Sequence, residues 1–190
     1  AQAVDETYTD MADRPETIGS LTRLPEYDTD LISVWHQRDG EAFIAVRGTK
    51  LNLKNLTQDV ALSVGREGTT NSEVEDIMDR MDAAGVKYDV GAHSLGTSYV
   101  YNALKDHGKD IDEIFLFNPS SSPLQSDKYL KGYNDDKRIK FFVNEGDMVS
   151  SGIYQKLSKD TLENRTTIGP YRWSPLAAHS ASQWFDDEDN

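Results

Sequence analysis

The feature that most constrains the fold is a direct passage from a strand pattern into a helical pattern near the middle of the chain. Residues 87–92 predict a β-strand, His93-Ser94-Leu95-Gly96 follows at once, and an apolar helical stripe occupies residues 97–104. Because no spacer separates the two elements, the chain must turn sharply at Ser94. Units of this kind are typical of α/β proteins.

The remaining hydrophobic pattern extends this unit into a sheet. Apolar runs at residues 31–35 and 42–46 flank Arg38-Asp39-Gly40 and predict an antiparallel hairpin. A capping box of Ser72 and Glu75 begins a helix that ends at Gly85. Short apolar runs at 111–118 and 140–144 suit buried parallel strands. We therefore expect an α/β fold with a mostly parallel central sheet, an antiparallel N-terminal hairpin and helices on both faces.

The length favours a single domain. The chain has 190 residues, of which 37% are hydrophobic, enough for one sizeable core. We expect an N-terminal arm packed on the core at residues 1–30, the α/β domain at 31–185 and an acidic tail at 186–190. The arm is expected to contribute little chemistry. Residues 120–136, and most of the chain between 147 and 177, are predicted to be irregular.

Charge and composition exclude several classes of partner and site. The formal net charge of −13 should repel nucleic acids and anionic lipid surfaces. The absence of cysteine excludes disulfides and thiolate metal sites. No apolar stretch approaches a membrane span, and the first ten residues lack a signal-peptide pattern. We expect a soluble protein, and its localisation remains open.

Ser94 is the candidate nucleophile. A serine on a sharp strand-to-helix turn projects its hydroxyl above the sheet, at the positive end of the helix dipole. Such a turn needs small residues two positions before and after the serine, and Ala92 and Gly96 meet that requirement. The alternative is an ordinary serine at a helix N-terminus, where this residue is common.

A serine nucleophile needs a base and a carboxylate that orients it. Of the four histidines, His179 lies beyond the last predicted strand, where the chain order of serine, acid and histidine places the base. Its alternative role is as an ordinary residue of the C-terminal segment. Asp147 follows the strand at 140–144 and is the candidate acid, with Glu145 as a close competitor.

The tripeptide Arg47-Gly48-Thr49 follows a predicted strand and supplies the candidate oxyanion hole. When a serine attacks a carbonyl group, the tetrahedral intermediate carries a negatively charged oxygen, and preorganised hydrogen-bond donors must stabilise it. We expect the backbone N–H groups of Leu95 and Thr49 to provide them. Taken alone, Arg-Gly-Thr is nearly uninformative and commonly just ends a strand, so its value comes from its position.

Together these segments resemble the fungal-type, or class 3, lipases of the α/β-hydrolase superfamily. The resemblance runs from about residue 31 to 185 and rests on four pieces of sequence: AFIAVRGT at 42–49, VGAHSLG at 90–96, FVNEGDMV at 142–149 and His179. It implies an α/β-hydrolase fold, a Ser94-Asp147-His179 triad, an oxyanion hole at Thr49 and Leu95, and no metal or organic cofactor. The implied substrates are acyl esters of lipids or small esters, met at a transient lipid interface. The implied activity is that of a lipase or esterase.

The chain departs from the family at several points. Ala92 replaces the usual first glycine of the serine turn, and Thr97 stands where glycine or alanine is commoner. In the family the segment after Arg-Gly-Ser/Thr forms a lid, so Leu51, Leu53 and Leu56 are candidates to cover an acyl-binding groove. A packed connecting helix is an equally good interpretation of that segment.

Other activities remain compatible with the same residues. A phospholipase, an acyltransferase, or an enzyme that cleaves thioesters or peptides could use the same triad. A catalytically silent α/β-hydrolase domain with a structural or binding role is the alternative from a different class. Reaction with a serine-directed probe would separate the silent domain from the enzymes.

Overall fold

The described residues of the computed structural model, 1–48, 71–120, 126–144, 146–147 and 150–169, form an eight-stranded mixed sheet. Each strand pairs with the next one along the chain, in the order β1 to β8. The first four strands are antiparallel, whereas β4 to β8 are parallel. The strands are β1 (Thr17–Ile18), β2 (Leu21–Arg23), β3 (Ile32–His36), β4 (Ala42–Val46), β5 (Tyr88–His93), β6 (Ile111–Phe117), β7 (Ile139–Asn144) and β8 (Thr166–Gly169).

The α-helices in the described part of the chain are α1 (Gln2–Asp5), α2 (Ser72–Ala84), α3 (Leu95–Ala103), α4 (Ser126–Asp135), α5 (Ser151–Tyr154) and α6 (Lys159–Arg165). The N-cap of α2 is Asn71, one residue before the predicted cap Ser72, and its side-chain oxygen accepts the Glu73 N–H. It ends as predicted at Gly85, whose φ of 63° reverses the chain. None of the helices among these residues has the length and apolar character needed to cross a bilayer.

The order of the strands decides which face of the sheet the helices cover. Each connection from β4 to β8 leads to the neighbouring strand in the same direction across the sheet. Because such crossovers are right-handed, the helices in these connections all lie on one face. Buried residues from β5, β6 and β7 form the main core with helical residues such as Met78, Val100 and Tyr133. On the opposite face, Val4 of α1 packs in a second cluster with Trp35 and Phe117. The predicted α/β class, with its hairpin and its helices on both faces, is confirmed.

Several elements were not predicted from the sequence. Strands β1 and β2 have only two and three residues, too few for a hydrophobic period to show. Helix α4 lies within the segment expected to be a loop, and it contributes the fully buried Tyr133 to the core. Helix α6 and strand β8 lie within the segment expected to be irregular. In β8 only Gly169 is buried, so the apolar pattern of a central strand is missing.

Candidate active site

Ser94 lies between β5 and α3 in a backbone conformation that residues other than glycine rarely adopt. Its φ is 54° and its ψ is −126°. The residue is 4% exposed and occupies the N-cap position of α3, although its side chain makes no capping hydrogen bond. Strain of this kind costs about 1–3 kcal/mol and is found mostly at functional sites. The sharp turn predicted from the sequence is therefore present.

Small residues let the turn approach the neighbouring strand. A Cβ atom on Gly96 would lie 2.7 Å from the carbonyl oxygen of Arg47, and one on Gly48 would lie 2.9 Å from the backbone nitrogen of Leu95. Ala92 is fully buried between Val46 of β4 and Leu116 of β6. The end of β4 thus passes directly over the N-terminus of α3.

Hydrogen bonds hold the Ser94 turn in this conformation. The Ser94 N–H donates to the carbonyl of Phe117 at 3.1 Å. Its own carbonyl accepts from the Thr97 hydroxyl at 2.6 Å and from the Ser120 N–H at 3.3 Å. Thr97 is fully buried, and its hydroxyl is satisfied by this acceptor.

Asp147 lies beyond the end of β7 and is 1% exposed. The Ser150 hydroxyl donates to its Oδ2 at 2.7 Å, and its N–H donates to the carbonyl of Asn144 at 3.0 Å. A buried carboxylate is costly unless donors compensate it. Since β5 and β7 flank β6 and run parallel, Ser94 and Asp147 share one edge of the sheet, with the two strands about 10 Å apart.

Asn118 connects these two positions and was not singled out from the sequence. It follows β6 with a φ of 42°, and its N–H donates to the carbonyl of Phe142 at 2.8 Å. Its Oδ1 accepts the Asn144 N–H at 3.1 Å. Asparagine tolerates positive φ better than most residues, and the pair Asn118-Pro119 after a strand is the signal that could have identified this turn.

Arg47 does more than end a strand. Its buried guanidinium donates to the carbonyls of Gly48 and Asp30 at 2.8 and 2.7 Å, and it pairs with the Asp30 carboxylate at 2.7 Å. These contacts fix the backbone at Arg47 and Gly48, directly after β4. Arginine suits such a role because its planar group presents several donors at once.

The three histidines in the described ranges differ in their distance from the edge of the sheet where the parallel strands end and Ser94 lies, here called the Ser94 edge. His36 pairs with Ala42, at the edge where the parallel strands begin. His107 follows α3 and bonds Asp79 of α2 at 2.6 Å, also near that opposite edge. His93 lies beside Ser94 in sequence, and its Nδ1 is 2.6 Å from the Tyr8 hydroxyl. Neither His36 nor His107 is placed to serve Ser94.

One acidic side chain away from this edge, that of Asp82, has several structural partners. Asp82 of α2 accepts the N–H groups of Gly108, Lys109 and Asp110 and the hydroxyl of Tyr88. Within the described ranges, no group of three or more histidine, aspartate or glutamate side chains could hold a metal ion.

Several predicted site residues lie outside the described residues. They are the base candidate His179, the oxyanion candidate Thr49, the competing acid Glu145, and the lid candidates Leu51, Leu53 and Leu56. The structure thus brings Ser94, Leu95 and Asp147 to one edge of the sheet. The roles of all the predicted site residues stay predictions.

Comparisons with known proteins identify no family for this chain. No family model matches it, and no curated protein matches it. Among solved structures, the native Rhizomucor miehei lipase propeptide complex is 13% identical over 78% of this chain and 59% of that one, with a TM-score of 0.47. The Lip2 lipase of Yarrowia lipolytica is also 13% identical, over 82% and 67%, with a TM-score of 0.44. The chain thus spans less than two thirds of the Rhizomucor chain, and likenesses this distant assign it no activity.

Proposed function

We propose that this protein is a serine hydrolase that cleaves carboxylic esters, with acyl lipids or small esters as substrates. The observation that carries the proposal is the strained, buried Ser94 at the strand-to-helix turn, on the same edge of the sheet as the buried Asp147. A structural serine has no need of a φ of 54°, since glycine adopts that conformation without strain.

In the proposed mechanism, the Ser94 hydroxyl oxygen attacks the ester carbonyl carbon while its proton passes to His179. The oxyanion then receives hydrogen bonds from the N–H of Leu95 and from Thr49. Collapse of this intermediate breaks the bond between carbonyl carbon and alkoxy oxygen, and the alcohol leaves with the proton from His179. Water then hydrolyses the acyl-enzyme by the same steps, which regenerates Ser94.

Asp147 would orient His179 and stabilise its protonated form. The Ser150 hydroxyl already donates to one carboxylate oxygen, Oδ2 of Asp147. Burial keeps such a carboxylate from being screened by water, which strengthens its interaction with an imidazolium. Its place beyond β7 also matches the order of serine, acid and histidine along the chain.

The direct test uses a fluorophosphonate probe and a p-nitrophenyl ester. The wild-type protein should react with both, and Ser94→Ala should abolish labelling and turnover. Ser98→Ala is the matched control, because Ser98 is also buried, lies in the helix that follows Ser94, and has its hydroxyl 3.5 Å from that of Ser120. Retained turnover in Ser94→Ala would refute the assignment, and an unreactive wild-type protein would favour a silent domain.

A second comparison tests the acid. Asp147→Asn should lower kcat by about 10⁴-fold, the usual cost of losing the carboxylate that orients the base. Glu145→Gln should retain most of the activity. If Glu145→Gln instead caused the larger loss, Asp147 would be the wrong acid.

The substrate class is tested with esters of increasing acyl length, measured above and below their aggregation threshold. A lipase should gain activity at the aggregate surface, and neutral interfaces should serve it better than anionic ones because the chain carries a net charge of −13. Preferred transfer of the acyl group to an added alcohol over water would indicate an acyltransferase.

A further inference from the structure

Tyr8 of the N-terminal arm reaches the Ser94 edge of the sheet from a distant part of the sequence. Its hydroxyl oxygen accepts the N–H of Gly48 at 3.1 Å and lies 2.6 Å from Nδ1 of His93. These partners are 40 and 85 residues away along the chain. One of them immediately precedes Ser94, and the other precedes the proposed Thr49 donor.

The direction of these hydrogen bonds follows from the chemistry of the groups. Burial raises the pKa of the Tyr8 hydroxyl well above its usual value, so the group keeps its proton at neutral pH. Among the described residues, the acceptor that this proton meets is Nδ1 of His93. When the Tyr8 hydroxyl donates to Nδ1 of His93, its oxygen remains available to accept from Gly48.

The arm is held firmly enough to place this hydroxyl. Gly91 of β5 has no side chain, and a Cβ atom there would lie 2.8 Å from Val4 and 2.6 Å from Phe43. The buried guanidinium of Arg14 donates to the carbonyls of Thr7 and Thr9, on either side of Tyr8. It also donates to three carbonyls at and just before the start of β3: Thr29, Asp30 and Ile32.

We propose that Tyr8 is a positioning residue for ester hydrolysis, which holds Gly48 against the Ser94 turn and so sets the gap between the two oxyanion donors. This inference rests on the proposed function. Gly48 already lies so close to α3 that a Cβ atom on it would be 2.9 Å from the Leu95 nitrogen and 3.1 Å from the Ser94 Cβ. Through Tyr8 alone, the N-terminal arm then helps to position the site, contrary to the expectation that it contributes little chemistry.

The test compares Tyr8→Phe with Tyr27→Phe. Tyr8→Phe keeps the ring and removes both hydrogen bonds, so kcat should fall by about 10- to 100-fold while KM changes little, because the donors act on the transition state. The rate of fluorophosphonate labelling should fall in parallel. Tyr27, whose ring lies 4.3 Å from the Arg80 guanidinium, belongs to the same part of the chain and should leave kcat unchanged.

Variants at His93 test whether the network acts as a unit. His93→Asn presents a carbonyl oxygen where Nδ1 stood, and it should keep several-fold more activity than His93→Leu. In the double variant Tyr8→Phe/His93→Leu, the loss in kcat should be smaller than the product of the two single losses. Independent, multiplicative losses would contradict the network.

Amide hydrogen exchange gives a readout that does not depend on activity. Exchange of the Gly48 N–H should accelerate at least about tenfold in Tyr8→Phe, because that amide loses its acceptor. An active wild-type protein in which Tyr8→Phe leaves both kcat and Gly48 exchange within twofold would overturn the inference and leave the proposed function standing. A wild-type protein without esterase activity or labelling would overturn the proposed function, and this inference with it.

Discussion

Replacing Gly96 by alanine tests how closely the end of β4 must approach α3. The new Cβ atom would lie 2.7 Å from the Arg47 oxygen and 2.9 Å from both the Arg47 carbon and the Val46 oxygen, all of them backbone atoms. Ordinary van der Waals contact begins at 3.4 Å, so the two segments must separate by about 0.7 Å. Backbone cannot rotate away as a side chain can, so overpacking should cost about 1–3 kcal/mol of stability.

The same movement opens the gap between the proposed oxyanion donors. A displacement of about 1 Å can cost 10²-fold in rate, so a 0.7 Å opening should lower kcat by about 10- to 100-fold, or 1.4–2.7 kcal/mol of barrier. The assay is hydrolysis of a soluble p-nitrophenyl ester at 25 °C, with stability measured by urea denaturation. The temperature must lie well below the melting midpoint of every variant.

Gly85→Ala is the matched control for this experiment. Gly85 has a φ of 63°, and a Cβ atom added there would have no neighbouring atom within 4 Å, so alanine brings backbone strain without a clash. The expected cost is about 1–2 kcal/mol of stability, with no change in kcat. If Gly96→Ala retained kcat within twofold of wild type, or if both variants lost activity equally, the reasoning about donor spacing would be refuted.

Two further predictions concern stability. Ser94→Gly should be more stable than Ser94→Ala by about 1 kcal/mol in urea denaturation, because glycine relieves the strain at a φ of 54°; equal stabilities would mean that the turn stores no strain. Burial alone would raise the pKa of Asp136, but hydrogen bonds and charge from Arg138, with Arg165, lower it overall. Its stabilising effect is therefore present above the unfolded-state pKa and lost as the pH falls through the folded-state pKa. Asp136→Asn should lower the urea midpoint at pH 7, and this difference should begin to shrink near about pH 4 and go on shrinking as the pH falls through the lower folded-state pKa; a constant difference down to about pH 2.5 would contradict the sign.

The parts of the fold that the sequence predicts are those with a strong local signal. The turn at Ser94 follows from a strand, a serine and a helix in succession, and the end of α2 follows from Gly85. Strand β6 could be predicted because its apolar run is short and ends before Pro119. In each case neighbouring residues carry enough information to specify the backbone.

The elements missed from the sequence depend on distant contacts. Helix α4 contains Gly132, which weakens a helical pattern, yet the missing side chain lets the helix pack against Tyr101. Strand β8 exposes most of its residues and is defined by its pairing with β7. Local propensity is a weak guide where tertiary pairing decides the conformation.

The residues of the candidate site also fall into two groups: some have a local signal in the sequence, and others depend on distant contacts. Ser94 and Asp147 were identified from their places after strands, which the parallel sheet then brings to one edge. Tyr8 could not be identified, because nothing in the residues around it indicates a partner 85 positions away. Asn118 carried a local turn signal, but its link between β6 and β7 depends on the register of the sheet.

The sequential order of the strands has a consequence for how the protein is made. Each strand pairs with the one synthesised just before it. A new strand can therefore join the free edge of the sheet as it leaves the ribosome, and no strand has to be inserted later between two others. Tyr8 is the exception, since it is translated 85 residues before its partner His93 and must wait for that residue to appear. The segment around Tyr8 therefore reaches its final contacts only after β5 has been synthesised.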